Sequence, residues 1–269
     1  MVVLALARLT FADTIRQPTA WLMTGVSIAL IALSTVFGLF NFEEMDRMRM
    51  LATAGVAVAV INGLFLAVVG TSQAIHDEIA SRTALTLFAK PLGRGQFLVG
   101  KVLGVWSAVV ASCAVIAGIH VLALLYAADA GFDSHAGHGG HEHHEGHDHG
   151  EEASSVPIPW RAIAAAHALG AGHSAVLACI AAVLALRFGL VANIIVCFSV
   201  FVVGHLLESA GSLGGVVVPA LALFSIDDCI QLEQPVSWAY LGMTALYTAL
   251  FCAGWLSIGL AFFKRQDIP

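Results

Sequence analysis

Two segments of this 269-residue chain carry side chains that could do chemistry, and each lies between long apolar stretches. The first, residues 75–101, holds four of the twelve Lys and Arg residues together with Asp77 and Glu78. The second, residues 129–160, holds seven histidines among Asp, Glu and Gly: His135, His138, His141, His143, His144, His147 and His149. Because imidazole and carboxylate groups ligate transition metals, this second segment predicts weak, multi-site binding of Zn²⁺, Cu²⁺ or Ni²⁺. Its composition cannot bury a core, and we expect it to be disordered without a ligand.

The rest of the sequence is typical of an all-α membrane protein. It is 59% hydrophobic and 11% charged, with a mean hydropathy of +0.87. Six stretches are long enough to cross a hydrocarbon core of about 30 Å, at about 20–40, 50–75, 102–128, 162–186, 188–207 and 236–263. They predict one membrane domain over residues 1–269, with no room for a soluble catalytic domain. We therefore expect no enzymatic activity in this chain and no nucleic-acid partner.

The distribution of Lys and Arg predicts the orientation. With the N-terminus in the cytoplasm, nine of these residues lie inside and three outside, which satisfies the positive-inside rule. The inner set is Arg8, Arg16, Arg82, Lys90, Arg94, Lys101, Arg187, Lys264 and Arg265, and the outer set is Arg47, Arg49 and Arg161. This places both termini and residues 75–101 in the cytoplasm, and residues 129–160 outside. We expect a multi-pass protein of the cell membrane (inner or plasma membrane), in contact with membrane lipid.

Two further segments predict helices that do not cross the bilayer. Within residues 1–19, Leu4, Ala7, Phe11 and Ile15 recur at helical spacing, which favours an interfacial helix on the inner surface. Residues 209–226 are apolar but contain several glycines and Pro219. A full crossing there would move the C-terminal Lys and Arg outside, so we predict a re-entrant or interfacial helical segment between spans 5 and 6.

Residues 75–101 predict a cytoplasmic helix, a break and a second helix. Glu78 and Arg82 are spaced i,i+4 and could pair on one face, and Pro91 would end the first helix. A plain connector would not need Leu85 and Phe88, which gain nothing by facing water. We therefore predict that a soluble partner docks here, on Asp77, Glu78, Arg82, Thr83, Leu85, Phe88, Lys90, Pro91 and Arg94.

The pattern of this segment is similar to that of a known family. The run Glu78-x3-Arg82-Thr83-x6-Lys90-Pro91-Leu92-x-Arg94-x2-Phe97-x2-Gly100-Lys101-x2-Gly104 resembles the loop after the second span of ABC transporter type-2 permeases. The subset that includes the nitrous-oxide-reductase maturation permease is the most similar. Ala7-Arg8-Leu9-Thr10-Phe11-x4-Arg16, Pro219-x4-Phe224-x2-Asp227 and Tyr247-x15-Phe263-Lys264-Arg265-x-Asp267 resemble further parts of that family.

The resemblance implies a permease subunit that works as a homodimer. A separate ABC ATPase, which binds the ATP and Mg²⁺, would dock on residues 75–101, and this chain would hold no cofactor for that reaction. ATP hydrolysis would drive transport or transmit force to an extracytoplasmic partner. Gly95-x4-Gly100-Lys101 also matches the start of a phosphate-binding loop, but Val102 has no hydroxyl for Mg²⁺ and no strand precedes the run.

Two other functions fit parts of the sequence. Six spans and a histidine-rich loop also describe a secondary transition-metal carrier of the cation-diffusion type, although the predicted spans contain no carboxylate at mid-depth. A non-transporting membrane scaffold would need no docking segment. The histidines in or near the spans, His120, His167, His173 and His205, are interpreted as hydrogen-bonded structural residues, with His205 able to pair with Glu208.

Overall fold

A computed structural model describes residues 1–41, 44–80, 93–136, 158–206 and 218–265. Within these residues the regular structure is helical, as the sequence predicts. The helices are α1 (Val2–Arg16), α2 (Pro18–Asn41), α3 (Glu44–Ala80), α4 (Arg94–Ala136), α5 (Trp160–Ala185), α6 (Leu190–Leu206), a 3₁₀ turn (Leu221–Phe224), α7 (Asp227–Gln231) and α8 (Trp238–Arg265).

In the described part of the chain, five helices are long and apolar enough to cross a membrane. They contain the segments Pro18–Gly38, Asp46–Glu78, Arg94–Asp129, Trp160–Ala185 and Trp238–Phe262. Five of the six predicted spans are therefore confirmed in position and character. The predicted fifth span, residues 188–207, coincides with α6, an apolar helix of 17 residues.

Helices α3, α4 and α5 form the centre of the bundle. Helix α5 is the most buried of the five long apolar helices, and it packs along α3 and against α8. Two amide side chains of the apolar helices, Asn62 of α3 and Asn193 of α6, donate to neighbouring helices. Asn62 Nδ2 donates to Ser112 Oγ at 3.0 Å, and Asn193 Nδ2 donates to Ser72 Oγ at 2.8 Å and to the Ala181 carbonyl at 2.9 Å. Such bonds hold helices together where no water is present to replace them.

The predicted N-terminal helix is present as α1, and it packs on the first turns of α4. A Cβ at Gly104 would come within 2.5 Å of Thr10 Cβ and 2.6 Å of the Ala7 carbonyl oxygen. A Cβ at Gly100 would lie 2.8 Å from Leu6. The two glycines, four residues apart, therefore let the helix backbones approach closely.

The buried stripe of α1 differs from the predicted one. Thr10 and Thr14 face the protein, whereas Leu4 is 60% exposed. The side of α1 that packs on α4 is formed by Leu6, Ala7 and Thr10, which lie against Gly100 and Gly104, and Leu4 falls outside it. The helix ends where Gln17 adopts extended backbone before Pro18, as expected for the residue that precedes a proline. Its place at the membrane surface stays a prediction.

The segment between the second and third long helices is shorter than the sequence predicts. Helix α3 continues unbroken to Ala80, so Asp77 and Glu78 belong to its last turns and do not begin a separate helix. No proline or glycine interrupts residues 71–80, which explains the continuation. Helix α4 begins at Arg94, where the Gly93 N–H donates to Gln96 Oε1 at 3.2 Å, one half of a capping box. The rest of the predicted first cytoplasmic helix, residues 81–92, lies outside the described residues.

Between α6 and α8 the described chain forms only short helical pieces. The 3₁₀ turn Leu221–Phe224 and α7 follow Pro219, and Leu221 and Ile230 are fully buried. Gly204 of α6 lies against this region, since a Cβ there would come within 2.9 Å of Leu221. The first part of the predicted segment, residues 209–217, lies outside the described residues.

Candidate partner-docking site

Three of the nine predicted docking residues lie in the described part of the chain. Asp77 is exposed near the end of α3, Glu78 is half-buried beside it, and Arg94 is half-buried in the first turn of α4. The six others lie outside the described residues: Arg82, Thr83, Leu85, Phe88, Lys90 and Pro91. The structure therefore defines the two helix ends that carry the docking segment.

These two helix ends are joined by an ion pair. Lys101 Nζ lies 2.5 Å from Glu78 Oε1, and the side chains are only 5% and 19% exposed. The predicted partner of Glu78, Arg82, lies outside the described residues, and within them Glu78 pairs with Lys101 of α4. Two helices antiparallel to each other bring the end of one beside the start of the next, so the residues meet across the bundle although 23 positions separate them in sequence.

The surroundings of the pair are apolar. Ile75 and Phe97 are completely buried, and Lys101 Nζ lies 6.0 Å from the centre of the Phe97 ring. In such a setting each charge is stable only while its partner is present, because removing one leaves an uncompensated buried ion. The pair therefore fixes the spacing of the helix ends on which residues 81–92 are mounted.

The same end of the bundle gathers other cations of the predicted inner set. The start of α4 lies beside the end of α8, where Gly95 is next to Leu260. The Arg187 guanidinium lies at this same end, 5.5 Å from the centre of the Phe262 ring. The cations of the predicted outer set lie at the opposite end. There Arg49 lies 3.7 Å from Glu233, and Arg47 Nη2 donates to the Ala127 carbonyl at 3.0 Å. The fold thus sorts these residues as the charge rule does, and which end faces the cytoplasm stays a prediction.

The histidines of α4 and α5 form a directed chain of hydrogen bonds. His120 Nε2 lies 3.1 Å from the Leu51 carbonyl, which can only accept, so the neutral ring carries its proton there. His120 Nδ1 then accepts from His167 Nε2 at 3.1 Å. Gly55 of α3 makes room for the His120 ring, which a Cβ would overlap. These two histidines are hydrogen-bonded inside the bundle, as interpreted from the sequence.

The histidine at position 173 is different. It is 1% exposed, and neither ring nitrogen has a hydrogen-bond partner among the described residues. Its ring packs against Phe201, Phe224 and His205, with the His205 ring centre 5.7 Å away. His205 Nδ1 donates to the Phe201 carbonyl at 3.0 Å. The predicted partner of His205, Glu208, lies outside the described residues.

One of the seven predicted metal ligands lies in the described part of the chain. His135 falls in the last turn of α4, and the other six histidines of the run lie outside the described residues: His138, His141, His143, His144, His147 and His149. Among the residues that the structure does describe, no group of three or more His, Cys, Asp or Glu side chains could hold a metal ion.

Several structurally important residues were not singled out from the sequence. Asn62 and Asn193 each tie helices together, and a lone amide in an apolar stretch was the available signal. From the sequence, Lys101 was interpreted mainly as part of a false phosphate-binding match. In the structure, residues 95–101 lie within α4, and the ammonium group of Lys101 binds Glu78.

Comparison with protein-family models and with curated proteins found no match for this chain.

Proposed function

We propose that this chain is the membrane-spanning subunit of an ATP-driven transporter, similar to the ABC type-2 permeases, on which a separate ATPase docks at residues 75–101. One observation carries the proposal. The helices on either side of the docking segment are locked together by the buried Glu78–Lys101 pair. A connector that only joined two spans would have no need for such a lock.

The lengths of the two helices support a mechanical role. Helix α3 has 37 residues and α4 has 43, which correspond to about 55 Å and about 65 Å. A bilayer with its headgroups is about 40–45 Å thick. Both helices therefore extend beyond it. A force applied to residues 81–92 would move α3 and α4 together, because the Glu78–Lys101 pair joins them.

Helix α1 adds a third part to this assembly. It contacts α4 through Gly100 and Gly104, on either side of Lys101 in sequence. Because only one turn separates the glycines from the ion pair, movement of the docking segment would also move α1. In the proposed homodimer, ATPase closure would rock α1, α3 and α4 of each copy together.

The path of the chain supports six crossings. Helix α5 ends near Arg187, which contacts Phe262 near the end of α8. At the other end of the bundle, Gly204 of α6 lies against Leu221, and Tyr240 at the start of α8 donates to the Leu223 carbonyl at 2.6 Å. The chain thus passes from the Phe262 end of α8 toward its Tyr240 end through α6, whose 17 residues span about 25 Å. We infer that it completes the sixth crossing.

Co-purification with an ABC ATPase expressed together with this chain tests the proposal. We expect the Leu85→Ala/Phe88→Ala double variant to insert normally and to lose most of the bound ATPase. The matched control is Leu232→Ala, which removes a leucine that is 66% exposed at the opposite end and should change nothing. Unchanged ATPase binding by the double variant would refute docking at this segment, and failure of any ATPase to associate would favour a scaffold.

Thiol labelling tests the orientation. In a chain without its native cysteines, cysteine replacing exposed Gly93 should react with an impermeant reagent only after cell lysis. Cysteine replacing exposed Gln231 should react in intact cells. The opposite pattern would invert the topology and place the histidine run in the cytoplasm, as the cation-diffusion alternative requires.

A further inference from the structure

A long cavity of about 570 Å³ lies between α4, α5 and α8, and it is partly open to the surroundings. It extends from Leu241 and Phe224 at one end to Val99 and Leu256 at the other. Small residues create the space, with Gly172 and Ala175 on α5 facing Ala245 and Ala249 on α8.

The polar groups in the described walls of this cavity already have partners. Trp106 Nε1 donates to the Ala171 carbonyl at 2.9 Å, and Thr244 Oγ1 donates to the Tyr240 carbonyl at 2.9 Å. Thr248 Oγ1 donates to the Thr244 carbonyl at 2.8 Å. The Cys179 and Cys252 thiols are hydrogen-bonded to each other. A polar ligand would therefore lose its bonds to water without replacing them, whereas a hydrocarbon would lose nothing.

The shape of the cavity selects a thin occupant. From Leu241 to Leu256, the cavity follows α8 for 15 residues, which is about 22 Å. A helix with its side chains is about 10–12 Å across, so a helical segment of this length would occupy about 1,700 Å³ or more, well above the volume of the cavity. A helix from a second copy does not fit, whereas a single file of methylene groups does.

The cavity also lies where hydrocarbon is the surrounding medium. Helices α4, α5 and α8 are among the five that are long and apolar enough to cross a membrane. On the outward face of α8, Met243, Leu246 and Leu250 are 59–73% exposed. We propose that this groove binds one acyl chain of a membrane lipid, lying parallel to α8 and entering from the side. The proposal concerns a lipid-binding site and stands independently of ATPase docking.

Quenching of Trp106 by brominated acyl chains tests this proposal. Trp106 lines the groove, and a full-length variant that keeps it as the sole tryptophan requires Phe at positions 21, 160, 238 and 255. In vesicles of phosphatidylcholine brominated along one chain, we expect Trp106 fluorescence to be strongly quenched. A second variant that keeps only Trp21, which is 68% exposed on α2, reports ordinary contact with bulk lipid.

Filling the groove separates bound chain from bulk lipid. Ala249→Phe places a ring in the cavity, and it should remove more than half of the quenching of Trp106. Ala253→Phe, one turn further along α8 at an exposed position outside the cavity, should leave the quenching unchanged. Ala175→Leu fills the groove from α5 and repeats the test if Ala249→Phe does not fold.

Three results would overturn the proposal. The first is the absence of Trp106 quenching while Trp21 is quenched normally. The second is quenching of Trp106 that both filling variants leave intact. The third is a disulfide between two copies through Ala249→Cys, which would assign the groove to the dimer interface. Because fluorescence is read without the ATPase, none of these outcomes depends on the proposed transport function.

Discussion

The two ends of the α3–α4 helix pair are closed by different chemistry. At the end that carries residues 81–92, Glu78 and Lys101 supply opposite charges from both helices. At the end that leads toward the histidine run, Arg47 donates to the Ala127 backbone carbonyl, and no carboxylate of the described residues pairs with its charge. The first closure depends on two side chains, and the second on one.

The difference indicates where the fold resists force. A buried ion pair is specific, because each partner is costly to bury alone, so it holds two helix ends in one relative position. A hydrogen bond to a carbonyl is weaker and can be remade with a neighbouring carbonyl. The end proposed to receive force from the ATPase is therefore the end whose two helices are joined by the more specific contact.

Loss of one member of the ion pair should have the largest effect. Lys101→Met leaves the half-buried Glu78 carboxylate without a counter-charge, and we expect a loss of stability of up to about 3–5 kcal/mol, the value for a fully buried pair. The Glu78→Gln/Lys101→Met double variant removes both charges and should recover most of that loss. Thermal unfolding of the purified protein in detergent measures both. A double variant no more stable than Lys101→Met would show that the charges do not stabilise each other.

Substitution at the opposite end should cost less. Arg47→Gln removes a charged donor that is 6% exposed, and we expect a loss of about 1.5–3 kcal/mol. The matched control is Arg49→Gln, since Arg49 is 45% exposed and lies 3.7 Å from Glu233. An exposed pair of this kind contributes about 0–1 kcal/mol. Equal destabilisation by the two variants, measured by the same unfolding assay, would mean that burial of Arg47 does not matter.

Alanine substitutions at two glycines of α4 should change the stability in different directions, because only one of these glycines packs on α1. Gly104→Ala introduces a Cβ against Thr10 and the Ala7 backbone, and overpacking of this kind costs about 1–3 kcal/mol. At Gly118 of the same helix nothing lies within 4 Å, so Gly118→Ala should be neutral or stabilise by up to about 1 kcal/mol. Cross-linking of cysteines on α1 and α4 would report whether α1 stays attached. Two variants with the same stability would contradict the close approach.

The smallest effect on the fold is expected from the histidine run. Replacing all seven histidines of residues 135–149 by asparagine should leave thermal stability and ATPase binding unchanged, while calorimetry shows loss of Zn²⁺, Cu²⁺ or Ni²⁺ binding. In the unchanged chain, binding should weaken below about pH 6, because imidazole protonates near pH 6.5 and then cannot ligate. Full metal binding by the asparagine variant would move the site elsewhere and favour the metal-carrier alternative.

Much of the fold could be read from the sequence because the membrane imposes a simple rule. A chain in hydrocarbon must satisfy its own backbone, so long apolar stretches become helices, and hydropathy alone located the five long ones and α6. The division of Lys and Arg between the two ends of the bundle followed from the same apolar stretches, because each crossing places the next loop on the other side of the membrane. The boundary between α1 and α2 lies at Gln17 and Pro18, because a proline disfavours helical backbone in the residue before it.

Tertiary structure decided which side chains meet. Glu78 had a plausible partner at Arg82 by helical spacing, and only the antiparallel packing of α3 on α4 brought Lys101 to it. The exposure of Leu4 followed from which side of α1 packs on Gly100 and Gly104 of α4, and no periodicity within α1 reveals that side. The groove lined by Trp106 and Ala249 comes from three helices far apart in sequence. Composition along the chain determines which segments enter the membrane, but the contacts between them depend on shapes that exist only once the helices have packed.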